Sequence, residues 1–175
     1  MQVTLVPHKK LTTPPNYSVS VQVNWTGPHL SLEYEIKGDL NTLVLPPLNS
    51  KPKRLDELWK HTCFEAFLGL NNDPHYWELN ISPSGDWNLY SFSNYRTGQS
   101  LETRIHKMNH EILESNSTCH RSKITLDVSN FLPETLIPIG LTAVIEHRDS
   151  SKTYWAIRHC SDQPDFHIRE SFLIS

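Results

Sequence analysis

The sequence predicts an all-β protein, an antiparallel β-sandwich with short helical turns. Three observations carry that reading. Apolar residues recur at every second position through most of the chain, turn residues break the runs at short intervals, and no helix of 10–15 residues alternates regularly with the runs. At 175 residues the chain suits a single domain, 1–175, with a core of its own and no need of a disulfide or metal staple.

The elements follow in order. SVSVQVNW (18–25) places Val19, Val21 and Val23 on one face. LSLEYEIKG (30–38) puts Leu30, Leu32, Tyr34 and Ile36 inward, with Ser31, Glu33 and Glu35 outward. The turn signals TGP and KGD make these two an antiparallel pair. LNTLVLPP (40–47) reads as a short strand stopped by its prolines, and LNSKPKRLDELW (48–59) as a loop with one helical turn at 55–59. TCFEAFLGL (62–70), HYWELNIS (75–82) and WNLYSFSNYR (87–96) are strands joined by the turns NNDP and SPSGD. ETRIHKMNHEILE (102–114) fits either an amphipathic helix or two irregular strands. SNSTCHR (115–121) reads as a turn. RSKITLDVSNFL (121–132) alternates through Ile124, Leu126 and Val128, with a short helix expected at 129–132. LTAVIEHRD (141–149) and SKTYWAIRH (151–159) form a hairpin, and the tail is polar with aromatic anchors. The count is nine or ten strands.

Composition narrows the function. A net charge of -3, from 16 basic and 19 acidic residues, gives no support to nucleic-acid binding, and the run KPKR reads as a solvated loop. The first residues lack the apolar core and cleavage site of a signal peptide, and no run reaches the ~18 apolar residues of a membrane helix. Three widely spaced cysteines, Cys63, Cys119 and Cys160, argue against a disulfide framework. A cytoplasmic setting is therefore expected, with no membrane partner. No glycine-rich phosphate loop, GxSxG elbow, HExxH or calcium loop is present. Ten histidines without convergent spacing read as surface residues, so neither a metal nor a cofactor is expected.

The chemistry concentrates in 61–90. Glu78, Asn80 and Ser82 alternate with Trp77, Leu79 and Ile81, as on a sheet with one wet face. Glu65 differs, because its same-face neighbours Cys63 and Phe67 are apolar and so are Phe64, Ala66 and Leu68 opposite. Its carboxylate is expected to be at least partly buried and to meet a donor, with Arg96, Arg158, His61 or His159 as partner. If that partner is a structural brace, Glu65→Gln should weaken the fold. Of five tryptophans, Trp77 and Trp155 are expected in the core, and Trp59 and Trp87, at loop–strand junctions, beside a pocket.

Three blocks, LDELWKHTCFEAFLG, YWELNISPSGDWNLYSFSNYRTG and YWAIRHCSDQPDFH with nearby Phe172, resemble an uncharacterised bacterial family described as DOMON-like and similar to the family 9 carbohydrate-binding modules. The resemblance implies a β-sandwich. Members of the wider superfamily bind sugars or haem. The haem branch uses an axial Met and His, and Met108, beside His106 and His110, lies in no recognisable haem motif. The polar and aromatic residues of the resembling blocks form the expected ligand pocket: Trp59, His61, Glu65, Glu78, Asn80, Trp87, Tyr95, Arg96, His159 and His167, with Ser82, Ser84 and Asp165 beside them. The resulting expectation is a non-enzymatic binding module for a small polar ligand, most simply a saccharide. Two alternatives stand beside it. One is a sugar-modifying enzyme with Glu65 as base and His61 or His159 as acid. The other is a homo-oligomeric interaction protein.

Overall fold

The computed structural model describes residues 1–9, 15–132 and 137–174. The described strands are β1 (Gln2–Thr4), β2 (Val6–Pro7), β3 (Tyr17–Thr26), β4 (His29–Gly38), β5 (Cys63–Leu70), β6 (Asp73–Ile81), β7 (Trp87–Phe92), β8 (Ser100–Leu101), β9 (Asn109–Ser115), β10 (Cys119–Asp127), β11 (Ile139–Glu146) and β12 (Lys152–Ala156). They form a five-stranded sheet, β1-β3-β4-β10-β9, and a seven-stranded sheet, β2-β12-β11-β5-β6-β7-β8, with antiparallel neighbours throughout. The all-β antiparallel sandwich is thus the observed fold.

Alternation decides which face is inside. Val19, Val21, Val23, Leu30, Leu32, Tyr34 and Ile36 are buried in one continuous core with Phe64, Ala66, Leu68, Trp77, Leu79 and Ile81 of the other sheet. Tyr34 stacks on Phe64 at 4.7 Å, and its hydroxyl donates to the Glu65 carbonyl at 2.6 Å, so the buried phenol has its partner. Cys63, Glu65 and Phe67 therefore point to the opposite side of β5, away from the sandwich interior.

Several local expectations are corrected. The first eight residues supply β1 and β2, one to each sheet, although proline and histidine disguise the pattern. The 40–47 stretch is no strand. The bridge Leu43–His147 and two flanking bonds, Val44 N–H to the Glu146 carbonyl and Arg148 N–H to the Thr42 carbonyl, hold it to the end of β11, and the prolines that follow cannot donate to extend a ladder. The ambiguous 102–114 region ends as edge strand β9 rather than helix. The expected helix at 129–132 is a turn, closed by Phe131 and Leu132 N–H groups donating to the Val128 carbonyl. The helical turn expected at 55–59 is a single 3-10 turn, Leu58–Lys60.

Candidate functional site

The outer face of the seven-stranded sheet is not the wet face that the alternation of Glu78, Asn80 and Ser82 suggested. All three are buried. A second apolar cluster covers this face: Phe67, Tyr76, Tyr90, Phe92, Val144 and Ala156 of the strands meet Phe166 and Phe172 of the C-terminal segment. The cover is incomplete. It leaves a cavity of about 310 Å³ whose lining includes Trp59, Glu65, Glu78, Arg96, Tyr154, Phe166 and His167.

Register places the acids at the centre. Glu65 of β5 opposes Thr142 of β11 on one side and Asn80 of β6 on the other, while Glu78 opposes Phe67 and Tyr90. Glu65 and Glu78 are thus diagonal neighbours on adjacent strands, within reach of each other's field. Glu65 is 2% exposed and Glu78 6%. Thr142 Oγ1 donates to Glu65 Oε2 at 3.0 Å, and Asn80 Nδ2 donates to Glu78 Oε1 at 2.8 Å. The expected burial of Glu65 is observed. Its expected partners are corrected, since the donors are neutral, the Thr142 hydroxyl and the Cys63 thiol, and none of Arg96, Arg158, His61 or His159 bonds it.

Two buried carboxyls without a bonded cation are driven toward their protonated forms. Burial, and then the negative field of Glu78, push Glu65 well above the usual carboxylate range. Burial pushes Glu78 up as well, against the opposing effects of the Asn80 amide and the Arg96 charge. Burial also raises the Cys63 thiol beside them.

The wall opposite the floor comes from the tail and the β7–β8 turn. Asp165 accepts from Tyr95 Oη at 2.5 Å, from Arg96 Nη2 at 2.9 Å and from the His167 N–H at 3.1 Å, which ties the tail to the turn. Burial alone would raise Asp165, but these donors hold it below its usual value. Tyr76 Oη accepts from the Arg96 N–H at 3.2 Å, leaving its own proton for His167 Nδ1 at 2.7 Å. That assigns the imidazole proton to Nε2, which faces Glu78 Oε2 at 3.7 Å. Burial, aided by Arg96, pulls His167 down to about 4, so the ring is neutral near pH 7. The contact with Glu78 is therefore not an ion pair under those conditions.

Trp59 is placed by a buried polar network. Arg54 donates to Asn88 Oδ1 through Nε and Nη2, at 3.1 and 3.0 Å, and to the carbonyls of Leu89, Glu102 and Ile105. Asn88 Nδ2 and Tyr90 Oη both donate to Asp56 Oδ1. The 54–56 backbone is thus pinned over β7. The following 3-10 turn sets Trp59 edge-on to Tyr90, with centroids 6.0 Å apart and the indole 36% exposed.

Trp59, Glu65, Glu78, Arg96 and His167 therefore converge on one cavity. Asn80 lies behind Glu78 and orients it. The other expected site residues lie apart. Trp87 is in the core beneath the Arg54 guanidinium. His61 is on the surface with Glu146 at 2.9 Å. His159 bonds the Val6 carbonyl at 3.0 Å. Tyr95 acts at the rim through Asp165. The sequence reading missed Thr142, Tyr154, Phe166 and the Arg54–Asp56–Asn88 network. Buried threonines and loop arginines carry no periodic signal, and only the contacts reveal them. Among the described residues, no group of three or more His, Cys, Asp or Glu is placed to hold a metal ion, and no helix is long and apolar enough to cross a membrane.

The arrangement can be set beside known proteins. No protein-family model matches the sequence, and no curated protein matches it. A Bacteroides uniformis protein, named provisionally as carbohydrate-binding, superposes with a TM-score of 0.71 at 12% identity, covering 99% of this chain and 84% of that one. At that identity the likeness shows a shared fold, the antiparallel β-sandwich, and nothing more. A family 9 carbohydrate-binding module from Caldicellulosiruptor kristjanssonii gives TM-scores of 0.45 in complex with glucose and 0.49 with cellotriose, each at 15% identity. These alignments cover 82% and 88% of this chain, and 69% and 71% of the module. Likenesses at that level carry no weight for the site.

Proposed function

We propose that the protein is a non-enzymatic binding module for a small polyhydroxylated ligand, a saccharide, held over Glu65 and Glu78. The cavity carries this reading. An exposed indole stands at its edge, carboxyls and a guanidinium lie within it, and aromatic rings form its walls. Sugars present the complementary chemistry to such a site: apolar C–H faces that stack on rings and hydroxyls that bond polar groups. About 310 Å³ is at the small end of the range for ligand pockets, enough for one sugar unit. The DOMON-like resemblance of three sequence blocks and the provisional name of the Bacteroides uniformis protein support the same reading.

A glycan array followed by calorimetry tests it, using neutral, N-acetylated and amino saccharides. Binding with a dissociation constant of about 1 mM or tighter is expected for at least one of them. An absence of binding across the panel removes the proposal. Trp59→Ala should weaken that binding roughly tenfold, since loss of one stacked ring is worth about 1–2 kcal/mol. The half-exposed ring contributes little to the core, so the melting temperature should stay within about 2 °C.

The acid–base enzyme reading has one observation in its favour, the proximity of His167 to Glu78. That histidine is neither of the two expected, and it meets Glu78 rather than Glu65. At 3.7 Å the pair is too long for direct proton transfer. NMR of the bound saccharide over hours separates the readings, because binding leaves its spectrum unchanged and catalysis does not.

A further inference from the structure

Charge accounting at the cavity leads beyond a neutral sugar. Glu65 and Glu78 are both more than nine-tenths buried and both line the cavity. Glu65 receives the neutral Thr142 hydroxyl and Cys63 thiol, and Glu78 receives the Asn80 amide through Oε1. Glu78 Oε2 faces His167 Nε2 at 3.7 Å, too long for a hydrogen bond, so this acceptor is open toward the cavity that Glu78 lines. Among the described residues, no Lys or Arg forms an ion pair with either acid. The guanidinium on the wall, Arg96, is committed to Asp165. Its charge reaches Glu78 only as a field, without a bond, and the other groups facing the acids bring no positive charge near pH 7. His167 is neutral, and burial holds Cys63, Tyr34 and Tyr90 in their protonated, uncharged forms. The floor therefore has two acids and no bonded counter-ion.

We propose that the ligand supplies the missing charge: the site takes a saccharide bearing a primary amine, whose ammonium group sits between Glu65 and Glu78 and donates to the open Glu78 Oε2. This rests on the saccharide reading above and narrows it. An ammonium offers three donors to the two carboxyl groups, and its charge is worth more beside buried acids than in bulk water. The hydroxyls and the ring face remain for Arg96 and Trp59. The empty site keeps its acids partly protonated, so entry of the ammonium displaces a carboxyl proton to solvent. The balance is simple: R–NH3⁺ enters intact, and about one H⁺ leaves per ligand bound near pH 7.

Calorimetry decides this with glucosamine and galactosamine, their hydroxyl counterparts glucose and galactose, their N-acetyl derivatives, and cyclohexylamine as an amine without hydroxyls. An amino sugar should bind at least tenfold tighter than its hydroxyl and N-acetyl counterparts. The apparent enthalpy should vary with the ionisation enthalpy of the buffer, as proton release requires. Glu78→Gln should reduce that preference to within about threefold, and Glu65→Gln provides the same test from the other acid. If the hydroxyl or N-acetyl sugar binds as tightly as the amino sugar, the amine inference is overturned and the saccharide reading stands. If cyclohexylamine matches the amino sugars, the charge inference holds and the saccharide reading falls. If none of the probes binds, both fall.

Discussion

Replacing Glu65 by glutamine raises the melting temperature at pH 9 and leaves it nearly unchanged at pH 5. The folded carboxyl titrates at about 8 and that of Glu78 at about 7, against an ordinary value of 4.5. Both are raised by burial. A group that binds its proton more tightly when folded contributes stability at low pH. That contribution falls away as pH climbs from the unfolded value through the folded one, here between about 4.5 and 8. At pH 9 the wild type must hold two desolvated anions side by side, and the amide removes one of them. The gain should be about 2 kcal/mol, or roughly 4–8 °C for a chain of this size. The amide oxygen can still accept from Thr142. Buried histidines act in the opposite direction. His167 and His110, both pulled down to about 4 chiefly by burial, cost stability as pH falls from about 6.5 toward 4. They are common to both proteins and largely cancel in the difference. Thermal denaturation of the two proteins at pH 5, 7 and 9 checks the result. A less stable variant at pH 9 would mean that Glu65 has a counter-charge after all, as the sequence alone suggested.

Arg54→Met should be the most damaging single change near the site. The methionine keeps a long apolar stem over Trp87 but removes the donors to Asn88, Leu89, Glu102 and Ile105. Asn88 Oδ1 then loses its guanidinium partner in a buried site, and three carbonyls lose a charged donor. A loss of about 3 kcal/mol or more is expected, which lowers the melting temperature by roughly 6–12 °C. Because Arg54 also anchors the segment that carries Trp59, ligand binding by the folded fraction should weaken too. A melting temperature within about 2 °C of wild type would show that the network is dispensable.

The strands were legible because one face of each had to be buried, and a period of two records that. Val19 to Val23 and Leu30 to Ile36 declare themselves in this way. β1 and β2 are too short to show a period, and β9 is an edge strand whose half-exposed residues suit helix and strand equally. The resembling blocks named Trp59, Glu78, Arg96 and His167 among the expected pocket residues, but the strand pattern by itself singled out a site residue only where that residue broke it. Glu65, a charge between two apolar faces, stands out and is central. Glu78 looked like a routine wet-face acid, because nothing in its own strand shows that Phe166 and Phe172, some ninety residues on, cover that face. Arg54 sat in a basic run that reads as solvated loop, and its five hydrogen bonds follow from tertiary packing alone.

The five tryptophans offer a direct test of where the ligand sits. Trp77, Trp87 and Trp155 are buried in the core, Trp25 is exposed at the end of β3, and Trp59 alone lines the cavity with Glu65 and Glu78. Each indole N–H gives a separate NMR signal. Titration with the saccharide that binds most tightly in calorimetry should shift the Trp59 signal and leave that of Trp25 in place. A saturating shift at Trp25 with none at Trp59, or no indole shift at about 10 mM ligand, well above the millimolar limit of useful recognition, would contradict a binding site over the two buried acids.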